Sequence, residues 1–151
     1  MLNVEPYSAA TILVAGPNFG TGSSREGAVY ALTDYGFRAV IAPRFGDIFA
    51  GNAHQNGLLP VVVPTPVVER LWRLLEAEPT APVTVDLVAQ RVRARGIDEP
   101  FLIEPDVRER MLAGLDDIGL TSQHTDDIAG YESRRRPALP TTGRRWAAGG
   151  R

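Results

Sequence analysis

Cysteine is absent from the 151 residues, and so is lysine: all sixteen basic side chains are arginine. Without a thiol the chain forms no disulfide, offers no thiolate nucleophile and holds no thiolate-ligated metal cluster of its own. Long apolar runs are missing too. The longest, Gly57–Pro64, is far too short to span a bilayer. The N-terminal stretch MLNVEPYSAATILVAG has no basic segment leading into an apolar one, so no secretory leader is read there. A cytoplasmic location is the default expectation, with no membrane partner. Charge of either sign is nearly balanced, at a net −2, which gives the whole molecule no field for nucleic acid. The balance is uneven along the chain. Arg134–Arg151 holds six arginines and no acid, leaving residues 1–133 at a net −8. The triplet Arg134-Arg135-Arg136 reads as a solvated charge run rather than a nucleic-acid contact.

What is present is a composition, 44% hydrophobic, sufficient for one domain with a core. Thr11–Ala15 is a β-branched run stopped by Gly16-Pro17 and reads as a buried strand. The loop Gly16–Gly22 carries three glycines in seven residues. A helix is expected from Ser23 or Ser24 to Tyr35, stopped by Gly36. Ala39–Ala42 reads as a second buried strand, and Arg44–Asn56 as a short helix or irregular turn. In Leu58–Val63, Pro60 argues for a strand that begins late or lies at an edge. Thr65–Ala77 opens with a threonine cap and Pro66, and its apolar positions 67, 68, 71, 72, 74 and 75 suit an amphipathic helix with Trp72 in the core. Val83–Val88 and Arg91–Arg95 alternate like a hairpin, with a strand expected at Phe101–Ile103. Helices are read at Pro105–Leu115 and Thr125–Tyr131. The architecture expected is an α/β, layered β/β/α domain over residues 1–132, followed by an Arg-rich, disordered tail over 133–151.

Chemistry concentrates in Gly20-Thr21-Gly22-Ser23-Ser24-Arg25-Glu26. A glycine-rich loop between a strand and a helix presents unpaired N–H groups at the positive end of the helix dipole. Such a place favours anions, and Arg25 could grip a carboxylate with two parallel hydrogen bonds. Ser23-x-x-Glu26 is equally a capping box, in which the two side chains satisfy each other's backbone donors. Spacing leaves both readings open. A P-loop is excluded, because no lysine follows the glycines.

The runs ILVAGPNFGTGSSRE (Ile12–Glu26), ALTDYGFRAVIAPRFGDIF (Ala31–Phe49), NGLLPVVV (Asn56–Val63) and LAGLDDIGLT (Leu112–Thr121) together resemble the 3-isopropylmalate dehydratase small-subunit family of the aconitase superfamily. The resemblance covers most of residues 10–132. It implies the aconitase-type swivelling β/β/α domain, and a hydro-lyase activity that removes water from a small hydroxy-diacid and adds it back. It also implies a large-subunit partner bearing a four-iron–four-sulfur cluster, with no cofactor and no metal on this chain. In the same terms Ser23 is the catalytic base, and Gly22, Ser24 and Arg25 bind substrate. Two alternatives stand beside this reading. One is a paralogue acting on another alkylmalate, citramalate or homoaconitate-like acid; the other is a non-catalytic remnant that only docks on the large subunit.

The chain departs from the family at position 27, where the pattern GSSREH has His and this sequence has Gly. Met1 is also expected to fall where the family pattern is already under way. On that expectation an N-terminal strand, an Asp-Thr-Asp type motif and a loop facing the substrate side chain lie outside the chain. Ile12–Val14, Val40-Ile41 and Val61–Val63 would then be left as exposed core at an open sheet edge. Other residues read structurally: His54 as an exposed turn histidine, His124 as a turn residue before a helix capped by Thr125 or Asp126, and Asp116-Asp117 as part of a helix end. Arg44 reads either as a substrate-side cation or as the partner of Asp47.

Overall fold

The computed structural model describes residues 3–22, 25–114, 121 and 124–135. These belong to two compact units, residues 1–117 and 118–151. The first unit is built on a parallel sheet in which β1 (Ile12–Val14), β2 (Ala39–Ala42) and β3 (Leu59–Val62) lie in sequence order. Leu13 pairs with Val40, and Val40 with Pro60. All four residues of β2 are buried, as a central parallel strand covered on both faces requires. Alternation divides them. Ala39 and Ile41 join Leu59, Val61, Val63, Val67, Val68 and Leu71 in one core, while Val40 and Ala42 join Val29, Phe37, Phe45, Phe49, Ala53 and Leu58 in the other.

The second core is covered by α1 (Gly27–Tyr35) and α2 (Asp47–Gln55). The first is covered by α3 (Thr65–Ala77) and by an antiparallel sheet of β4 (Thr84–Asp86), β5 (Arg91–Ala94) and β6 (Ile97–Pro100). The layered β/β/α expectation therefore holds. The expectation that Val40, Ile41 and Val61 would be exposed does not, because these three are fully buried. The helices and the second sheet hide them without help from any further strand. Only Val62, half-exposed at the rim, and the half-buried Ile12–Val14 remain open to solvent.

Several boundaries move for identifiable reasons. No strand forms at Phe101–Ile103; the third antiparallel strand is β6. The turn Arg95-Gly96, with Gly96 at φ 69°, closes Ala94 onto Ile97 as a two-residue hairpin. Phe101 is instead a buried plug, its N–H donating to the Gln90 carbonyl at 3.0 Å. The first helix starts at Gly27, later than Ser23 or Ser24, with Glu26 in the cap position and no side-chain cap. Its end is as expected: Gly36, at φ 120°, donates to the carbonyls of Leu32 and Thr33. Pro60 sits at an edge. The N–H groups of Leu59 and Val63 donate to Arg38 and Ala42 of the neighbouring strand, which turns the nitrogen of Pro60 outward. Trp72 is not core: it is about one-third exposed, and its indole N–H donates to the Val14 carbonyl at 3.2 Å. After α4 (Pro105–Ala113), the second unit contributes α5 (Thr125–Arg134), which runs past the expected boundary at residue 132. Neither Thr125 nor Asp126 caps it; His124 holds that position, its Nδ1 3.6 Å from Asp127. Asp116 and Asp117 lie outside the described residues. Among the described residues no helix is long and apolar enough to cross a membrane.

The loop after β1 is held by a second loop, the one between β2 and α2. Phe19 N–H donates to the Arg44 carbonyl at 3.1 Å, and Gly46 N–H donates back to the Phe19 carbonyl at 2.9 Å. The Phe19 ring meets Phe45 and Phe49 edge-on, at centroid distances of 6.2 and 5.3 Å. Gly20 lies at φ 76°, and a Cβ there would fall 2.4 Å from Phe49 Cγ. A Cβ on Gly46 would come within 2.9 Å of the Gly20 carbonyl oxygen. The two glycines thus allow two backbones to touch. Gly20→Ala combines a left-handed backbone with overpacking and should lower stability by about 2–4 kcal/mol in denaturant titration. Leu71→Ala, at a site with no exposure, should cost about 2–5 kcal/mol by the same measurement.

Candidate functional site

The loops that follow β1 and β2 leave the C-terminal ends of adjacent parallel strands, where open α/β sheets place their ligands. Ala15 continues the β1 ladder, donating to the Ile41 carbonyl at 2.8 Å. The chain then turns sharply. Asn18 has φ 59°, and its carbonyl accepts from both the N–H (3.3 Å) and the hydroxyl (2.9 Å) of Thr21. Beyond this anchored turn the loop is open. Gly22 is exposed, and a Cβ there would meet nothing within 4 Å.

Of the four residues expected to carry the chemistry, Gly22 and Arg25 lie on this exposed approach to α1. Ser23 and Ser24 fall outside the described residues. Arg25 is exposed and makes no side-chain hydrogen bond or ion pair among the described residues; its carbonyl accepts from Ala28 N–H at 3.0 Å. Glu26 has a structural contact of its own. Its carboxylate accepts from Asn56 Nδ2 at 3.4 Å, linking α1 to the end of α2. The same carboxylate lies beside the Tyr30 hydroxyl and pushes that phenol above its ordinary pKa. Gly27 points into open space, with nothing within 4 Å of an added Cβ, so packing does not demand glycine where the family pattern has histidine.

The arginines divide by environment. Arg91 and Arg93 bind Asp98 and Asp86 across the antiparallel sheet, at 2.6 and 3.1 Å, and Arg95 binds Glu78 at 2.8 Å. Arg70 donates to the Gly96 carbonyl, and Arg108 to those of Leu87 and Val88. Arg25 and Arg44, beside the loop, have no such partner among the described residues. The Arg44–Asp47 pair, one of the two readings of Arg44, is therefore not among the ion pairs of the described residues. Arg38 is exposed at the opposite end of β2.

His54 is not an exposed turn residue. It lies in the last turn of α2, half-buried, and burial, reinforced by the nearby Arg110, lowers its pKa. It lines a groove of about 610 Å³ together with Arg44, Asp47, Val62, Leu102 and Glu104. Among the described residues no three His, Asp or Glu side chains converge as a metal site. The loop's aromatic anchor escaped the sequence reading, although a signal was present: Phe-Gly occurs at both 19–20 and 45–46, and these are the two segments that touch.

Comparison with known proteins gives one consistent result. Residues 1–66 match the family described as the aconitase C-terminal domain, and residues 69–105 match the LeuD_N family. Residues 117–145 match the C-terminal domain of the 3-isopropylmalate dehydratase small subunit. The 3-isopropylmalate dehydratase small subunit of Thermobifida fusca is 56% identical over 142 residues, which is 94% of this chain and 73% of that protein. Its counterpart in Salinispora tropica is 55% identical over 93% of this chain and 72% of that protein. A crystal structure of 3-isopropylmalate dehydratase from Methanocaldococcus jannaschii superposes with a TM-score of 0.60 at 28% identity, covering 79% of this chain and 67% of that one. Identity this high over more than nine-tenths of the chain assigns it to the 3-isopropylmalate dehydratase small-subunit family.

Proposed function

We propose that this chain provides the catalytic base and the carboxylate grip for the dehydration and rehydration that interconvert 2-isopropylmalate and 3-isopropylmalate. It does so in complex with a large subunit, in the cytoplasm. The observation that carries this reading is the anchored turn at Asn18–Thr21 after β1, beyond which Gly22 is exposed and Arg25, on the approach to α1, is exposed and uncommitted among the described residues. Ser23 is the base. It takes the proton from the carbon next to the hydroxyl-bearing one; the C–H electron pair becomes the double bond, and the hydroxyl, taking a second proton from solvent or from the large subunit, departs as water. Rehydration runs the same steps backward, with the hydroxyl returning to the other carbon. A serine hydroxyl is ordinarily a very poor base, so the alkoxide needs a concentrated positive field. The N-terminus of α1, loop N–H groups and Arg25 supply one. Ser24, Gly22 and Arg25 hold a substrate carboxylate, the guanidinium through paired hydrogen bonds.

The donor set of this chain does not suit an iron–sulfur cluster, since it has no cysteine. The four-iron–four-sulfur cluster belongs to the large subunit, where it would polarise the departing hydroxyl.

In the reconstituted complex, Ser23→Ala should lower kcat by about 10²-fold or more while assembly is retained, as for loss of a proton-transfer group. Steady-state kinetics with size-exclusion chromatography checks both parts. A variant that keeps its turnover and loses only about 1 kcal/mol of stability would assign Ser23 to helix capping instead. Running 2-isopropylmalate beside citramalate and homoaconitate in the same assay fixes the substrate.

A further inference from the structure

A diacid has two carboxylates, and the loop before α1 supplies one arginine. We propose that Arg44 is the second: a substrate-binding residue that takes the carboxylate not held by Arg25. This rests on the dehydratase reading above and specifies its substrate contacts.

Three observations carry it. Arg44 stands two residues beyond β2, at the C-terminal end of the strand next to the one that feeds the Gly20–Arg25 loop. Its own carbonyl accepts from Phe19, and the point where a Gly46 Cβ would sit is 3.2 Å from Thr21 Cα, so the two loops are in backbone contact. Any motion of one relative to the other must break the paired hydrogen bonds and the Phe19 ring contacts. Arg44 is therefore fixed to the platform at Phe19–Thr21 from which the chain leads toward Arg25.

The second observation is the lack of a competing partner. Asp47 lies within one helical turn, yet no ion pair joins it to Arg44 among the described residues. Arg70, Arg91, Arg93, Arg95 and Arg108 are bound to acids or carbonyls, and the uncommitted Arg38 lies at the opposite end of β2. An uncommitted guanidinium at a ligand-binding edge has its donors available, and its planar fork suits a carboxylate.

The third is the groove itself. Arg44 stands at the wall of the 610 Å³ groove, which it shares with apolar Val62, Leu102 and Ile103. Asp47 and Glu104, also on that wall, disfavour an anion beside them, which leaves Arg44 as the wall's carboxylate partner. The apolar wall suits a hydrocarbon portion of the same ligand.

The test uses the full chain reconstituted with its large subunit, in three forms: wild type, Arg44→Gln and Arg44→Lys. Arg44→Gln should raise KM for 2-isopropylmalate about 10- to 100-fold, the scale of one charge-assisted contact, and lower kcat far less. Arg44→Lys should recover part of that loss. Calorimetric binding of the diacid and of its two half-amides gives a readout that needs no turnover. One half-amide should bind wild type and Arg44→Gln equally, because its missing charge and the missing guanidinium are the same contact. An unchanged KM, an equal weakening of the diacid and both half-amides, or weaker binding between subunits with KM intact would each overturn the assignment. A wild-type complex without dehydratase activity would remove the reading beneath it. An active wild type with an indistinguishable Arg44→Gln would remove only the role of Arg44.

Discussion

The architecture of the site depends on one contact, the meeting of two backbones at Gly20 and Gly46. A glycine-rich loop is conformationally free in isolation, and that freedom is a cost when a binding geometry must be held. Here it is removed by neighbours. Two hydrogen bonds in a parallel bridge, Phe19 to Arg44 and Gly46 to Phe19, lock the loop after β1 to the loop after β2. Phe19, Phe45 and Phe49 pack as a three-ring cluster beneath them. The glycines are there because side chains would keep the backbones apart. Immediately beyond the anchor the chain is open, at Gly22. A rigid base thus carries an exposed tip, the arrangement that positions reactive groups on loops.

That base is rigid in turn because β2 is buried on both faces. Val40 and Ile41 are adjacent in sequence and belong to different cores. The strand transmits the position of one layer to the other, and both loops of the candidate site depart from it or from its neighbour. The family relationship and the physical arrangement agree in this respect: the aconitase-domain match, over residues 1–66, spans the strands and loops on which both cores converge.

Much of this was legible in the chain. Unbroken apolar runs at 39–42 and 58–63 mark buried parallel strands, Gly36 marks a helix end, and Pro60 marks an edge, each through a local rule with few competitors. The misses share a cause. Trp72 follows the apolar period of α3 but sits at the flank of its stripe, where its N–H finds the open Val14 carbonyl; periodicity does not reveal such a partner. Phe101 reads as strand because it is aromatic and followed by apolar residues, whereas Gly96 has already reversed the chain. The sequence reading starts α1 too early because it follows the Ser23-x-x-Glu26 pattern, whereas the helix begins at Gly27 with Glu26 in the cap position and the Glu26 side chain reaching Asn56, thirty residues away in sequence. Ser23 and Ser24 stand out only through resemblance; spacing leaves them divided between a cap and an anion site.

Pro60 has a consequence for how the molecule behaves in company. A β-sheet ends in two rims, and each rim can recruit a stray strand from a neighbouring molecule. On β3 the outward-facing donor at the middle of the strand is replaced by a pyrrolidine ring, so an incoming strand would find its row of partners interrupted. On β1 the outward Val14 carbonyl is already taken by an indole from α3. The two rims are blunted by different means, one by ring chemistry in the strand and one by a borrowed side chain. The first is permanent, while the second lasts only as long as α3 stays docked. Partial unfolding of that helix would therefore make the sheet adhesive on one side alone, and favour chains that join in pairs over chains that grow into fibres.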